Sequence, residues 1–98
     1  IYVDDIADAC LYFMKKKIKE TVINIGTGND YTIKEYAKKI LKQIVPNKKI
    51  LIKYDLQKPN GTPRKVLDVS LAKIYGWKHK TKLKEAIFKT YQSFIKQK

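Results

Sequence analysis

Between Ile33 and Ile44, apolar residues recur at intervals of three and four: Ile33, Tyr36, Ala37, Ile40, Leu41 and Ile44. That spacing gathers them on one face of a helix, with polar residues filling the other positions. Thr32 precedes the stripe and Glu35 follows three residues later with capping-box spacing, in which each side chain accepts the other residue's amide. Pro46 ends the segment by disfavouring helical geometry at Val45. A second run, Ile6, Cys10, Phe13 and Met14, predicts a helix from an Asp4-Asp5 cap to about Lys16. A short helix is predicted from a Ser70 cap through Leu71 and Ile74 to Gly76, with Trp77 buried beside it. Leu83, Ala86, Ile87, Thr90, Tyr91, Phe94 and Ile95 predict a last helix over about 82–96.

Two other segments read as strands. Val22-Ile23-Asn24-Ile25 is short and closed by Gly26-Thr27-Gly28, and Ile50-Leu51-Ile52-Lys53-Tyr54 alternates its bulkiest residues onto one face. Strand, helix and strand within 33 residues predict a parallel βαβ unit with a right-handed crossover, hence an α/β fold. Residues 55–65 form a loop rich in turn formers. The expectation is a single domain over 1–98. Ile1-Tyr2-Val3 reads as the end of a strand entering a helix, so the missing part of a longer protein is expected upstream.

Composition adds modest constraints. No apolar run reaches the length of a membrane-spanning helix. Cys10, the only cysteine, reads as a small core residue, and a reducing, cytoplasmic setting is the default. His79, the only histidine, lies between Lys78 and Lys80 and is expected to be exposed. One Cys and one His exclude a zinc site of four such ligands. The net charge is +13, with −1 over residues 1–32 and +14 over 33–98. This asymmetry keeps open a small basic nucleic-acid-binding module. Against that stand a single arginine among 22 basic residues and the dispersal of the lysines over several elements. Lys and Ile are also enriched together, as A/T-rich coding favours.

Gly26-x-Gly28 follows a predicted strand and precedes a helix, but position 31 is Tyr where a dinucleotide fingerprint places a third glycine or alanine. It reads as a tight turn. Tyr12 and Lys16 stand four apart on the first predicted helix, and no catalytic role is assigned to them. The most informative stretch is Lys58-Pro59-Asn60-Gly61-Thr62-Pro63-Arg64-Lys65. Two prolines stiffen it, Asn60-Gly61 fits a tight turn with open amides, and Lys58, Arg64 and Lys65 flank that turn. Amides, a Thr62 hydroxyl and convergent cations are what a diphosphate requires. A stiff, solvated basic loop is the alternative.

Three stretches in order resemble the C-terminal third of the GDP-L-fucose synthase family, within the extended short-chain dehydrogenase/reductases. They are Tyr2-Val3-Asp4-Asp5-Ile6-Ala7-Asp8-Ala9; Ile23-Asn24-Ile25-Gly26-Thr27-Gly28 with Thr32-Ile33; and Lys58 to Lys65 with Leu67-Asp68-Val69-Ser70. Gly76-Trp77 and the last helix extend the resemblance to nearly the whole chain. The first two stretches are shared by many nucleotide-sugar epimerases and dehydratases, and the third is far more specific. The resemblance implies a small substrate-binding domain of a Rossmann-type enzyme that epimerises and reduces a GDP-4-keto-6-deoxy sugar. Asn60, Gly61, Lys58, Arg64 and Lys65 would border the GDP-sugar pocket, with Lys65 near the diphosphate. Asn60 stands where the family has Asp, which leaves fucose, heptose and colitose precursors open. The resemblance also implies an NADP(H) site and catalytic residues upstream, a missing N-terminal domain as partner, and a homodimeric parent.

Overall fold

A computed structural model of the chain describes residues 1–61 and 63–97. Among them stand four helices, α1 (Val3–Met14), α2 (Ile33–Ile44), α3 (Ser70–Ile74) and α4 (Leu83–Lys96). α2 keeps its predicted bounds and cap, although Ile33 and Ile40 of its apolar stripe are exposed. Thr32 Oγ1 accepts the Glu35 amide at 3.1 Å and Glu35 Oε1 accepts the Thr32 amide at 3.1 Å, completing the capping box. That contact, with the Thr32 amide as the larger cause, holds the Glu35 carboxyl below its usual pKa. α2 packs along α4, and the half-buried residues of the two helices include Tyr36, Leu41, Ile44, Leu83, Ile87 and Tyr91.

α1 turns a different face inward from the one its apolar run predicts. Asp5 and Ala9 are buried and Tyr12 and Phe13 half-buried, while Ile6 is exposed, Met14 is 80% exposed and Cys10 is exposed rather than a core residue. The cause is polar. Asp5 accepts the Thr81 amide at 2.9 Å, the Thr81 hydroxyl at 3.0 Å and the Lys80 amide at 3.2 Å. Asp8 accepts the Trp77 indole N–H at 2.9 Å and pairs with Lys80 at 3.1 Å. These bonds rotate the helix so that its acids, not Ile6 and Cys10, meet the 77–81 segment. Tyr2 occupies the N-cap position without a side-chain cap, so Asp4-Asp5 does not cap the helix.

The small core joins Ala9, Ala72 and Trp77, with Tyr12, Phe13, Ile23 and Ile25 packed against it. α3 ends in a Schellman motif: the Trp77 amide donates to the Ala72 carbonyl and the Gly76 amide to the Lys73 carbonyl, both at 2.9 Å. Gly76 sits at φ +93°, a conformation that disfavours any side chain. At the other end, Ser70 is the first helical residue and not the cap. The Asp68 carboxylate accepts the Ser70 amide at 2.9 Å.

The predicted βαβ unit is absent, and the described residues contain no strand. Residues 22–25 and 50–54 do not join in a ladder. Two parallel strands alone are marginal, because their pairing energy is small and each needs further sheet neighbours. The exposed surface is large for the chain's mass. It measures 8801 Å², where a compact monomer of 11.5 kDa exposes about 5,800 Å². Much of it is apolar, with Val3, Met14, Val22, Ile33, Leu51, Leu56 and Ile74 largely open.

Candidate functional site

The site is assembled from two loops that the fold draws together. After residues 22–25 the chain turns at Gly26-Thr27-Gly28, with Gly28 at φ +77°. A methyl group on Gly28 would stand 3.1 Å from Val69 Cγ2, and one on Gly26 3.5 Å from Val69 Cγ1. Gly28 therefore lets this turn close onto buried Val69, just beyond the basic loop, while a methyl on Gly26 would make only ordinary contact there. That close packing occupies the turn's glycine face, so the geometry does not fit a dinucleotide pyrophosphate there. Thr27 Oγ1 accepts the Asn29 amide at 3.1 Å, which fixes the exit of the turn. The Asn24 side-chain amide donates to the Asp68 carbonyl at 3.4 Å, and Arg64 Nε donates to Asp30 Oδ2 at 2.8 Å. Together with the glycine packing, these two bonds hold the 64–69 segment against the 24–30 turn.

Lys58, Asn60, Gly61, Arg64 and Lys65 are all exposed. Thr62 lies outside the described residues. The turn in this region falls at Asp55–Lys58, where the Lys58 amide donates to the Asp55 carbonyl at 3.2 Å and Asp55 Oδ1 accepts the Gln57 amide at 3.1 Å. Gly61 is outside the left-handed region, so Asn60-Gly61 does not make the turn types that need positive φ. Its open side meets no atom within 4 Å. Among the described residues, neither Lys58 nor Lys65 enters a salt bridge. The loop is thus an open basic ledge anchored at one end through Arg64.

A groove of about 940 Å³ runs between α2 and α4 and past the start of α1. Its walls are Tyr36, Ile40, Leu83, Ile87, Tyr91 and Phe94, with Thr27, Asn29, Thr81 and His79 among its polar lining. His79 is half-buried here and not freely exposed as its lysine neighbours suggest, because Asp5 draws the 79–81 segment onto α1. Burial alone would raise the Asp5 pKa. The Thr81 and Lys80 bonds, with the nearby charge of His79, outweigh it and hold the carboxyl below its usual value. No signal along the chain marks this groove, since its walls come from helices about 40 residues apart. The Tyr12 hydroxyl donates to the Tyr75 carbonyl at 2.6 Å, and Lys16 lies over the Tyr12 ring. Both groups are engaged in packing at the end of α3.

No family model matches the chain. It is 40% identical over 99 residues to GDP-L-colitose synthase of Yersinia pseudotuberculosis, covering 100% of this chain and 32% of that protein. It is 37% identical over 104 residues to GDP-L-fucose synthase of Escherichia coli (strain K12), covering 97% of this chain and 32% of that protein. Its fold matches a solved GDP-6-OMe-4-keto-L-xylo-heptose reductase from C. jejuni with a TM-score of 0.79 and 31% identity, over 100% of this chain and 30% of that one. By sequence the chain is similar to the GDP-L-fucose and GDP-L-colitose synthases, and by fold to a GDP-sugar reductase. It spans about a third of the length of these relatives. In this segment the three resembling stretches converge, with Ile23 and Ile25 of the second packed against the core that holds Ala9 of the first. Asp5 and Asp8 bind the 77–81 segment, and the Gly26–Gly28 turn packs on Val69, which follows the basic loop. No helix among the described residues is long and apolar enough to cross a membrane.

Proposed function

We propose that this chain is the substrate-side domain of a GDP-4-keto-6-deoxy-sugar 3,5-epimerase and 4-reductase. The observation that carries this reading is the match over nearly the whole chain to GDP-sugar synthases. The large exposed apolar surface supports a second body docked on this one, and in the reading that body is an upstream cofactor domain. NADP(H) bound there would supply hydride to the ketone carbon, in the cytoplasm and within a homodimeric parent. This chain's residues contribute binding and orientation. Lys65, Lys58 and Arg64 neutralise the diphosphate, and Asn60 contacts the substrate. Asn60 preserves the shape of the family's Asp but not its charge, so it bears on which GDP-sugar is preferred.

The reading is tested in the full-length enzyme by steady-state kinetics. A charged hydrogen bond contributes about 1.5–3 kcal/mol, so Lys65→Ala should raise KM roughly ten- to a hundredfold with little change in kcat. Asn60→Asp should shift preference between GDP-4-keto-6-deoxymannose and a heptose analogue. Unchanged KM together with unchanged preference would return the loop to a solvated basic turn. One observation favours a second reading. Lys34, Lys38 and Lys42 recur every four residues along α2 beside a concavity of about 510 Å³, a stripe that a polyanion could follow. Duplex binding that weakens steeply with salt and ignores GDP would support it.

A further inference from the structure

Arg64 is the one arginine in a chain whose other 21 basic residues are lysine. Arg and Lys are not equivalent where two acceptors must be met in fixed geometry, because guanidinium offers a rigid planar fork of five N–H donors. The structure shows one of those donors in use. Nε donates to Asp30 Oδ2 at 2.8 Å across 34 residues of sequence, leaving the four Nη hydrogens for a second acceptor. The Arg64 side chain is 72% exposed while that of Asp30 is 29% exposed, so the carboxylate is the seated partner and the guanidinium the presented one. Asp30 is flanked by defined backbone structure. It follows the Gly28 turn and the Thr27–Asn29 bond, and stands two residues before the Thr32 capping box.

We propose that Asp30 is a positioning residue for the anionic substrate, holding Arg64 by Nε so that its Nη groups meet the diphosphate. The inference rests on the proposed function and adds a residue to that site. Two effects of Asp30 oppose each other. Its charge repels a diphosphate, so pure electrostatics predicts tighter binding without it. Its hydrogen bond pre-orders a long side chain that otherwise loses rotamer freedom on binding, so positioning predicts weaker binding without it. The sign of the effect decides between them.

The test uses the full-length enzyme, with KM for GDP-4-keto-6-deoxymannose and Kd for GDP as probes. Arg64→Ala should raise both. Asp30→Ala should raise both by about three- to tenfold with kcat unchanged, the range expected from freeing one long side chain. Asp30→Asn keeps an acceptor for Nε and should stay within about twofold of the parent. Adding Asp30→Ala to Arg64→Ala should cause no further loss. An exposed ion pair adds little to folding, so the melting temperature should hardly move. If Asp30→Ala leaves binding unchanged or tightens it while Lys65→Ala weakens it, the positioning role is wrong and the proposed function stands. The positioning role is equally wrong if Asp30→Asn is as damaging as Asp30→Ala. If neither Lys65→Ala nor Arg64→Ala weakens binding, the proposed function itself falls, and this inference with it.

Discussion

Replacing Asp5 by alanine removes an acceptor shared by the Lys80 amide, the Thr81 amide and the Thr81 hydroxyl, at 2.9–3.2 Å. Each bond to a charged acceptor contributes about 1.5–3 kcal/mol, and burying the carboxylate offsets part of the sum. A net loss of roughly 3 kcal/mol follows, a large fraction of what holds a chain of this size. Asp5→Asn retains one acceptor oxygen and should cost about half as much. Urea denaturation followed by Trp77 fluorescence reads the change directly. Trp77 is the only tryptophan, it is buried, and its indole bonds Asp8 in the same cluster. The Asp5 pKa is lowered in the folded state, so its stabilising contribution is complete above the unfolded value near 3.8 and is lost as pH falls through the folded value. Wild type should therefore lose stability below about pH 4 more steeply than Asp5→Asn does. A loss under about 0.5 kcal/mol for Asp5→Ala would refute the reasoning, because the buried amides would then have found water or another acceptor.

Thr32→Ala should destabilise the chain by roughly 0.5–2 kcal/mol in the same denaturation assay, and a neutral result would remove the cap from the account. Gly76→Ala should cost at least about 1–2 kcal/mol, because φ is +93° and the new methyl would stand 2.7 Å from the Tyr12 hydroxyl. A variant as stable as the parent would mean that α3 ends differently. The purified chain alone should oxidise no NADPH with any GDP-4-keto sugar, and turnover free of contaminating enzyme would overturn the assignment of the chemistry to an upstream domain.

What the sequence makes legible is what local interactions decide. The Thr32–Glu35 box, the stop before Pro46 and the Gly76 terminus each depend on residues within one or two turns. The facing of α1 is hidden because Asp5 and Asp8 answer to partners about 70 residues away. A hydrophobic stripe cannot report a buried carboxylate, so it points to Ile6 and Cys10 as core. The strands fail for a related reason. Alternation marks a segment suited to a sheet, but a strand exists only beside its neighbours, and 22–25 and 50–54 find none among the described residues. The basic loop is visible through its residue types. Its Asp30 tether is not, since it spans 34 residues, whereas the turn at Asp55–Lys58 is local and Asp55 carries its signal, which the stronger Asn60-Gly61 pattern overshadows.

The most direct test of the central claim is a crystal structure of the full-length protein with GDP bound. The account predicts the diphosphate within hydrogen-bonding distance of Lys65 Nζ and an Arg64 Nη, with the Asp30–Arg64 pair intact. GDP bound elsewhere, with the 58–65 loop open to solvent, would contradict it.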